Sequence, residues 1–289
     1  MTLWSQYILA HSVAEAVQAL ASSAGSARPV AGGTDLLLDL QAGSHAPIPT
    51  LVDLSAIPEL KVLEVRGDDL FIGAGVPVSQ VASSPLVIEH ARALSEACGL
   101  IGGPQVRNSA TLGGNVAHAL PAADGTIALM ALDARAEIAG PAGTRVVPLR
   151  EIFKGVGQST LASDEILTAF RLPLRQPGQA SGFSRVMRPQ GVALPILNLA
   201  AWLQRDGEEL AAVRIAVGPA GPTPQRATGI EAFLAGKPYS PVVIAEAQVL
   251  VDTALRFRTS PARATAAYRF HLCKVLLAEV LEKAWQRSA

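Results

Sequence analysis

Cysteine is almost missing from this chain. Cys98 and Cys273 are the only two in 289 residues, far apart and without a CxxC pair. That argues against a disulfide framework and against an iron–sulfur cluster held here. Net charge is absent too, with 24 basic and 24 acidic residues, so there is no basic surplus to hold nucleic acid. The five histidines, His11, His45, His90, His118 and His271, lack metal-ligand spacing, and no metal site is expected. No apolar run is long enough for a membrane. Leu194 to Leu203 reaches about half the length a spanning helix needs. Met1 to Gln6 shows no basic region followed by an apolar core, so a soluble, cytoplasmic protein without a signal peptide is expected. The common nucleotide fingerprints are missing as well. There is no GxxxxGK[ST], and Gly155-Val156-Gly157-Gln158-Ser159-Thr160 resembles GxGxxG only at its start. No Ser/His/Asp or Cys/His set can be assembled from residue order, so no catalytic residue is named.

What is present is core material. Hydrophobic residues make up 49% against 17% charged, which excludes disorder, and 289 residues suit two domains. Ser12-Val13-Ala14-Glu15 is a capping box, and Val13, Ala16, Val17 and Leu20 predict an amphipathic helix over 12–24. Strands are expected at 50–54, 70–76, 134–139 and 165–172, and a helix over 85–98. The Pro/Gly/Gln-containing segment 173–178 reads as a linker. Beyond it, apolar runs at 181–187, 194–204 and 211–218 read as strands, with Asp206-Gly207 as a hairpin turn. Ser260-Pro261 is expected to open a long C-terminal helix.

Two glycine pairs carry the chemical signal. Ala31-Gly32-Gly33-Thr34-Asp35 follows a short strand and leads into a helix start. The second run is Thr111-Leu112-Gly113-Gly114-Asn115, followed by Pro121-Ala122-Ala123-Asp124. Glycine lets backbone N–H groups approach an anion without a Cβ in the way, so two such turns suggest loops closing on a phosphate-bearing ligand. Asp124 has two readings, a helix N-cap or a carboxylate accepting from ribose hydroxyls or a base. Arg107 and Asn108, just before the second run, either face the phosphate or solvate a turn.

In these motifs the sequence resembles the FAD-binding medium subunit of the molybdenum hydroxylases, the xanthine dehydrogenase and carbon monoxide dehydrogenase family. The resemblance spans essentially the whole chain. It also takes in Leu51-Val52-Asp53-Leu54, Ile72-Gly73-Ala74-Gly75-Val76, Gln105-Val106-Arg107-Asn108, Glu165-Ile166-Leu167 and Pro222-Thr223-Pro224. It implies an α+β fold: a two-lobed FAD-binding domain of the PCMH type over 1–175, with lobes of about 1–55 and 56–175. A smaller domain over 179–289, with a three-stranded antiparallel sheet and helices, would follow.

By motif matching, Pro29, Val30, Ala31, Gly32, Gly33, Thr34, Asp35 and Leu36 would hold the FAD pyrophosphate together with Thr111, Leu112, Gly113, Gly114 and Asn115. The contacts would be backbone N–H groups and the Thr and Asn side chains. Asp124 would meet the ribityl or adenosine side, Ile101 would lie near the flavin, and Leu167 would pack close to the ring system. Two positions depart from relatives. Ile101 stands where the xanthine branch carries an aromatic, and Arg185 could supply the charge that many relatives take from a lysine in this strand.

The implied role is electron transfer without an acid, base or nucleophile on this chain. FAD would accept electrons from a [2Fe–2S] cluster on a small subunit, while a large subunit holds the molybdenum cofactor, in a dimer of heterotrimers. The acceptor (NAD, oxygen or a quinone) stays open. Two alternatives remain: a self-contained FAD-dependent oxidase or reductase acting on a small substrate, and a scaffold that has lost FAD.

Overall fold

The computed structural model describes residues 2–188 and 194–289. The chain begins with β1 (Trp4–Leu9), α1 (Val13–Ser22), β2 (Ala27–Val30), α2 (Leu36–Gln41) and β3 (Ile48–Asp53). The three strands make a parallel sheet in the order β1-β3-β2. Helix α1 starts where the capping box predicts. The Ser12 hydroxyl accepts from the Glu15 N–H at 3.1 Å, and the Glu15 carboxylate accepts from the His11 N–H at 2.7 Å. Its apolar stripe, Ala16, Val17 and Leu20, packs on Ala27 and Val52. The opposite sheet face buries Val30, Leu40, Ile48 and Leu51.

Next come β4 (Leu63–Arg66), β5 (Asp69–Gly73), α3 (Val78–Ser83), α4 (Pro85–His90) and α5 (Arg92–Gly99). They are followed by α6 (Pro104–Ser109), α7 (Leu112–Ala117), α8 (Asp124–Ala131), β6 (Arg135–Gly140) and β7 (Gly143–Pro148). The small hairpin β8 (Phe153–Gly155) and β9 (Gln158–Ser159) precedes β10 (Ile166–Pro173). An antiparallel sheet runs β4-β5-β10-β6-β7. The single helix expected over 85–98 is two. Ala91 leaves helical geometry at φ −140°, and the bend lets Val87, Ala93, Leu94, Ala97 and Cys98 enter one core. Helix α8 is buried throughout and, past Asp124 and Thr126 in its first turn, apolar on every face, as a helix between two layers must be.

The last part holds β11 (Gln179–Met187), β12 (Pro195–Asp206), β13 (Glu209–Gly218) and β14 (Gln225–Arg226). After these come α9 (Thr228–Leu234), β15 (Lys237–Pro238), α10 (Pro241–Ala254) and α11 (Ala266–Arg287). Its sheet has three long antiparallel strands, with the two-residue β14 and β15 both paired to β13. The period-2 alternation of β12 sorts its side chains onto two buried faces. Leu197, Leu199, Ala201 and Leu203 join the α10–α11 core, whereas Ala200 and Trp202 face the core that contains α5 and α8. The Asp206-Gly207 turn forms as expected, with Asp206 opposite Glu209 and Gly207 at φ +56°. Ser260-Pro261 does not open the long helix. Ser260 instead closes a turn on Ala264, and Thr265 caps α11 by accepting from the Tyr268 N–H. A hydroxyl five residues on makes the cap, because Pro261 is spent in the turn.

Candidate functional site

The first glycine pair forms the turn between β2 and α2. Pro29 and Val30 end the strand, Ala31 to Asp35 make the turn, and Leu36 starts the helix. Gly33 sits at φ +66°, a left-handed conformation that favours glycine. Among the described residues, the backbone N–H groups of 31–36 have no protein acceptor. A row of such unpaired N–H groups on a half-buried turn is what an anion satisfies.

The second glycine pair is no loop. Leu112 to Asn115 are the first turn of α7, and Thr111 is its N-cap. Their N–H groups are already engaged: Leu112 to the Val76 carbonyl at 3.1 Å and Gly113 to Ala74 at 2.7 Å. Gly114 donates to the Thr111 hydroxyl at 3.1 Å, and Asn115 to the Thr111 carbonyl at 3.0 Å. The two pairs therefore differ in what they offer. The first has free N–H groups, while the second offers its exposed edge at Gly114 and the side chains of Thr111 and Asn115.

Glycine is required for the two segments to meet. A Cβ on Gly32 would lie 2.0 Å from the Ser109 carbonyl oxygen and 2.9 Å from the Ala110 Cα. A Cβ on Gly113 would lie 2.7 Å from Ala74, which is also too close. Gly114 has room, with only the Thr111 hydroxyl 3.2 Å away. His118, at the end of α7, reaches back to Asp35 at 4.0 Å. The segments 31–36 and 109–118 are thus one wall.

Asn115 links this wall to the next group, its Oδ1 accepting from the Thr126 N–H at 3.2 Å. Asp124 is the first residue of α8 and not its cap; Ala123 holds the cap position without a side-chain bond. The Asp124 carboxylate is buried and takes two charge-oriented partners. Asn198 donates to Oδ1 at 2.7 Å and Arg185, 7% exposed, donates to Oδ2 at 2.5 Å. Burial pushes the Asp124 carboxyl up, and the Arg185 guanidinium and the Asn198 amide pull it back. Asn198 also donates to the Ala122 carbonyl at 3.0 Å, while its own Oδ1 is buried without a partner among the described residues. This triad joins α8 to β11 and β12.

Ile101 is half-buried in the turn before α6. Arg107 donates to the carbonyls of Ile101 at 3.1 Å and Gly102 at 2.8 Å, so it pins that turn. Leu167 is buried on β10 beside a register shift and shares a core with Leu112 and Val116. Asn198 escaped the sequence reading, although a lone amide inside the apolar run Pro195-Ile196-Leu197-Asn198-Leu199 is itself a signal. Among the described residues, no group of three or more His, Cys, Asp or Glu side chains is placed to hold a metal ion.

Residues 3–175 match the family described as the FAD binding domain in molybdopterin dehydrogenase. The chain belongs to this family. Residues 182–284 match the CO dehydrogenase flavoprotein C-terminal domain. The chain is 32% identical over 287 residues to the xanthine dehydrogenase FAD-binding subunit of Escherichia coli O157:H7, covering 97% of this chain and 96% of that one. It is 30% identical over 287 residues to the carbon monoxide dehydrogenase medium chain of Hydrogenophaga pseudoflava, covering 98% of each. The solved carbon monoxide dehydrogenase from Hydrogenophaga pseudoflava, in a form lacking the Mo-pyranopterin moiety, superposes with a TM-score of 0.93 at 29% identity over 98% of both chains. The protein is a flavoprotein component of an oxidoreductase, an FAD-binding medium subunit of the xanthine and carbon monoxide dehydrogenase type. The free N–H groups at 31–36 fit the pyrophosphate that this cofactor carries. No described helix is long and apolar enough to cross a membrane.

Proposed function

We propose that this chain is the electron-transfer subunit of a multi-subunit molybdenum hydroxylase. It receives electrons from a [2Fe–2S] cluster on a small partner subunit and passes them to an external acceptor. A large partner subunit holds the molybdenum cofactor, and the assembly is a cytoplasmic dimer of heterotrimers. Residues 1–175 form the FAD-binding part, in lobes of about 1–55 and 56–175, and 179–289 form the C-terminal α+β part.

The observation that carries this reading is the wall of 31–36 against 109–118. The N–H groups of Ala31 to Leu36 hold the pyrophosphate, with Thr111 and Asn115 flanking it and the open edge at Gly114 leaving room for it. Asp124, fixed by Arg185 and Asn198, stands at the ribityl or adenosine side with lone pairs to spare. Ile101 and Leu167 contribute apolar surface on the flavin side, and Arg185 contributes the buried positive charge. When bound, FAD supplies the redox chemistry; the protein binds it, orients it and sets the field around it.

Purification of the tagged chain from its native cells tests the proposal. The expected preparation is yellow and carries two partner chains, molybdenum and iron. A yellow preparation without partner chains or those metals points to the self-contained oxidase. A colourless one overturns the cofactor assignment as well.

A further inference from the structure

A cleft opens between α4–α5, the 173–179 segment and the near end of the C-terminal sheet. It comprises two adjoining cavities of about 320 and 260 Å³ that share His90 and Trp202. Along β11, β12 and β13 the cleft lies at the row Ser181–Trp202–Arg214, whereas the Asp124 triad lies at the row Arg185–Asn198–Gly218. Four residues separate these rows on each strand, about 13 Å. Neither glycine pair reaches this cleft.

The larger cavity brings together three arginines from three parts of the chain: Arg92 at the start of α5, Arg175 before β11, and Arg287 at the end of α11. Glu96 is the one carboxylate within ion-pair distance of them among the described residues. Its Oε1 takes Arg287 at 2.6 Å and Arg92 at 3.4 Å. The three guanidiniums therefore carry two positive charges that Glu96 does not offset; Glu89, which also lines the cavity, lies within ion-pair distance of His90 and, among the described residues, of none of the three arginines. Backbone carbonyls fix two of the guanidiniums. Arg287 donates to Ser181 at 2.9 Å, and Arg175 donates to Gln179 at 2.6 Å and to the Arg287 carbonyl at 3.2 Å. Both terminal nitrogens of Arg92 and the Nη1 of Arg175 are left without a protein acceptor among the described residues. Preorganised guanidinium groups with unused N–H bonds select phosphate or carboxylate oxygens, and the excess charge favours a dianion.

The adjoining cavity is different in character. Leu132, Pro173, Leu174 and Trp202 give it an apolar part, beside Asp68, Gln176 and Gln179, and the Trp202 ring is packed by the Arg214 guanidinium at 3.6 Å. An apolar or aromatic group fits there. The combined volume lies within the range of small-molecule pockets, roughly 300–1,000 Å³, which are common at domain junctions.

We propose that this cleft binds a phosphate monoester of a small aromatic molecule. The phosphate is held by Arg92, Arg175 and Arg287, and the ring lies along Trp202 and Leu174. Such a ligand ties α5, the 173–179 segment and α11 together, so its binding stabilises the packing of the C-terminal sheet on the core of α5 and α8.

Phenyl phosphate and inorganic phosphate are the probes, titrated calorimetrically into the flavin-loaded full-length protein, with tryptophan fluorescence read in parallel. The expected result is saturable binding of phenyl phosphate, about tenfold or more tighter than inorganic phosphate. Arg175→Ala should weaken it by about tenfold or more, Arg175→Lys should restore part of it, and neither should change FAD content. Trp202→Phe should remove the fluorescence response. No saturable binding, equal affinity for the two probes, unchanged affinity in Arg175→Ala, or loss of FAD with Arg175→Ala would each overturn the proposal.

Discussion

Replacing Gly32 by alanine adds one methyl group at the point where the two glycine segments touch. The backbone at Gly32 is not in the left-handed region, so alanine is conformationally acceptable and the effect is purely steric. The new Cβ would stand 2.0 Å from the Ser109 carbonyl oxygen, 2.7 Å from its carbon and 2.9 Å from the Ala110 Cα. All three are backbone atoms, which cannot rotate away. Relief requires the 31–36 turn to move off 109–110 by about 1 Å, and an overpacked contact of this kind costs about 1–3 kcal/mol. If that energy falls on the closed wall, FAD affinity drops by about 5-fold to 150-fold. The assay is FAD affinity by flavin fluorescence, alongside thermal unfolding of the protein stripped of flavin. Gly43→Ala is the control. It has φ +71° with no neighbour within 4 Å, so it should lower stability by about 1 kcal/mol and leave FAD affinity unchanged. A Gly32→Ala protein with wild-type affinity and stability would refute the reasoning.

Other substitutions separate binding from folding. A Cβ on Gly114 meets the Thr111 hydroxyl and no backbone, so Gly114→Val should fold but purify without yellow colour; full FAD loading would remove Gly114 from the site. Asp124→Asn leaves the buried Arg185 without its counter-charge and should lower stability by about 3–5 kcal/mol in urea unfolding. Asp124→Leu combined with Arg185→Met should recover most of that loss, and a double variant no better than Asp124→Asn would contradict this account of the pair. Tyr7 donates to Asp53 at 2.5 Å, and that bond raises its phenol to about 12. Because the folded value is raised, the stabilisation is complete below about pH 10 and disappears as pH passes about 12. Tyr7→Phe should therefore be less stable than wild type at pH 8, by no more than about 1 kcal/mol because the side chain is largely exposed, and equal to it above pH 12. A gap that persists there would show that the hydrogen bond is not its source.

Local chemistry made part of the fold legible. Ser12 and Glu15 announced α1, and Asp206-Gly207 announced the β12–β13 hairpin, because each motif completes its own hydrogen bonds within a few residues. The break at Ala91 was hidden, since it follows from how Val87 and Leu94 share a core with distant strands. At Ser260-Pro261 the local signal pointed to the wrong hydroxyl, because a turn closed by Ala264 consumed the proline first. The site was legible in its residues and less so in their division of labour. Gly113 and Gly114 belong to a helix whose N–H groups are engaged, a fact set by Ala74 and Val76 some 40 residues upstream. Asn198 and its hold on Asp124 depend on a contact across 74 residues, which no local pattern records.

Amide hydrogen exchange with and without FAD tests most directly where the cofactor's phosphates sit. Among the described residues, the amides of 31–36 have no protein acceptor, whereas those of 112–115 are bonded to Val76, Ala74 and Thr111. Residues 31–36 should exchange quickly in the protein stripped of flavin and become strongly protected when FAD is added, while 112–115 stay protected in both states. Unchanged exchange at 31–36 in a fully FAD-loaded protein would contradict the assignment of the pyrophosphate to this turn.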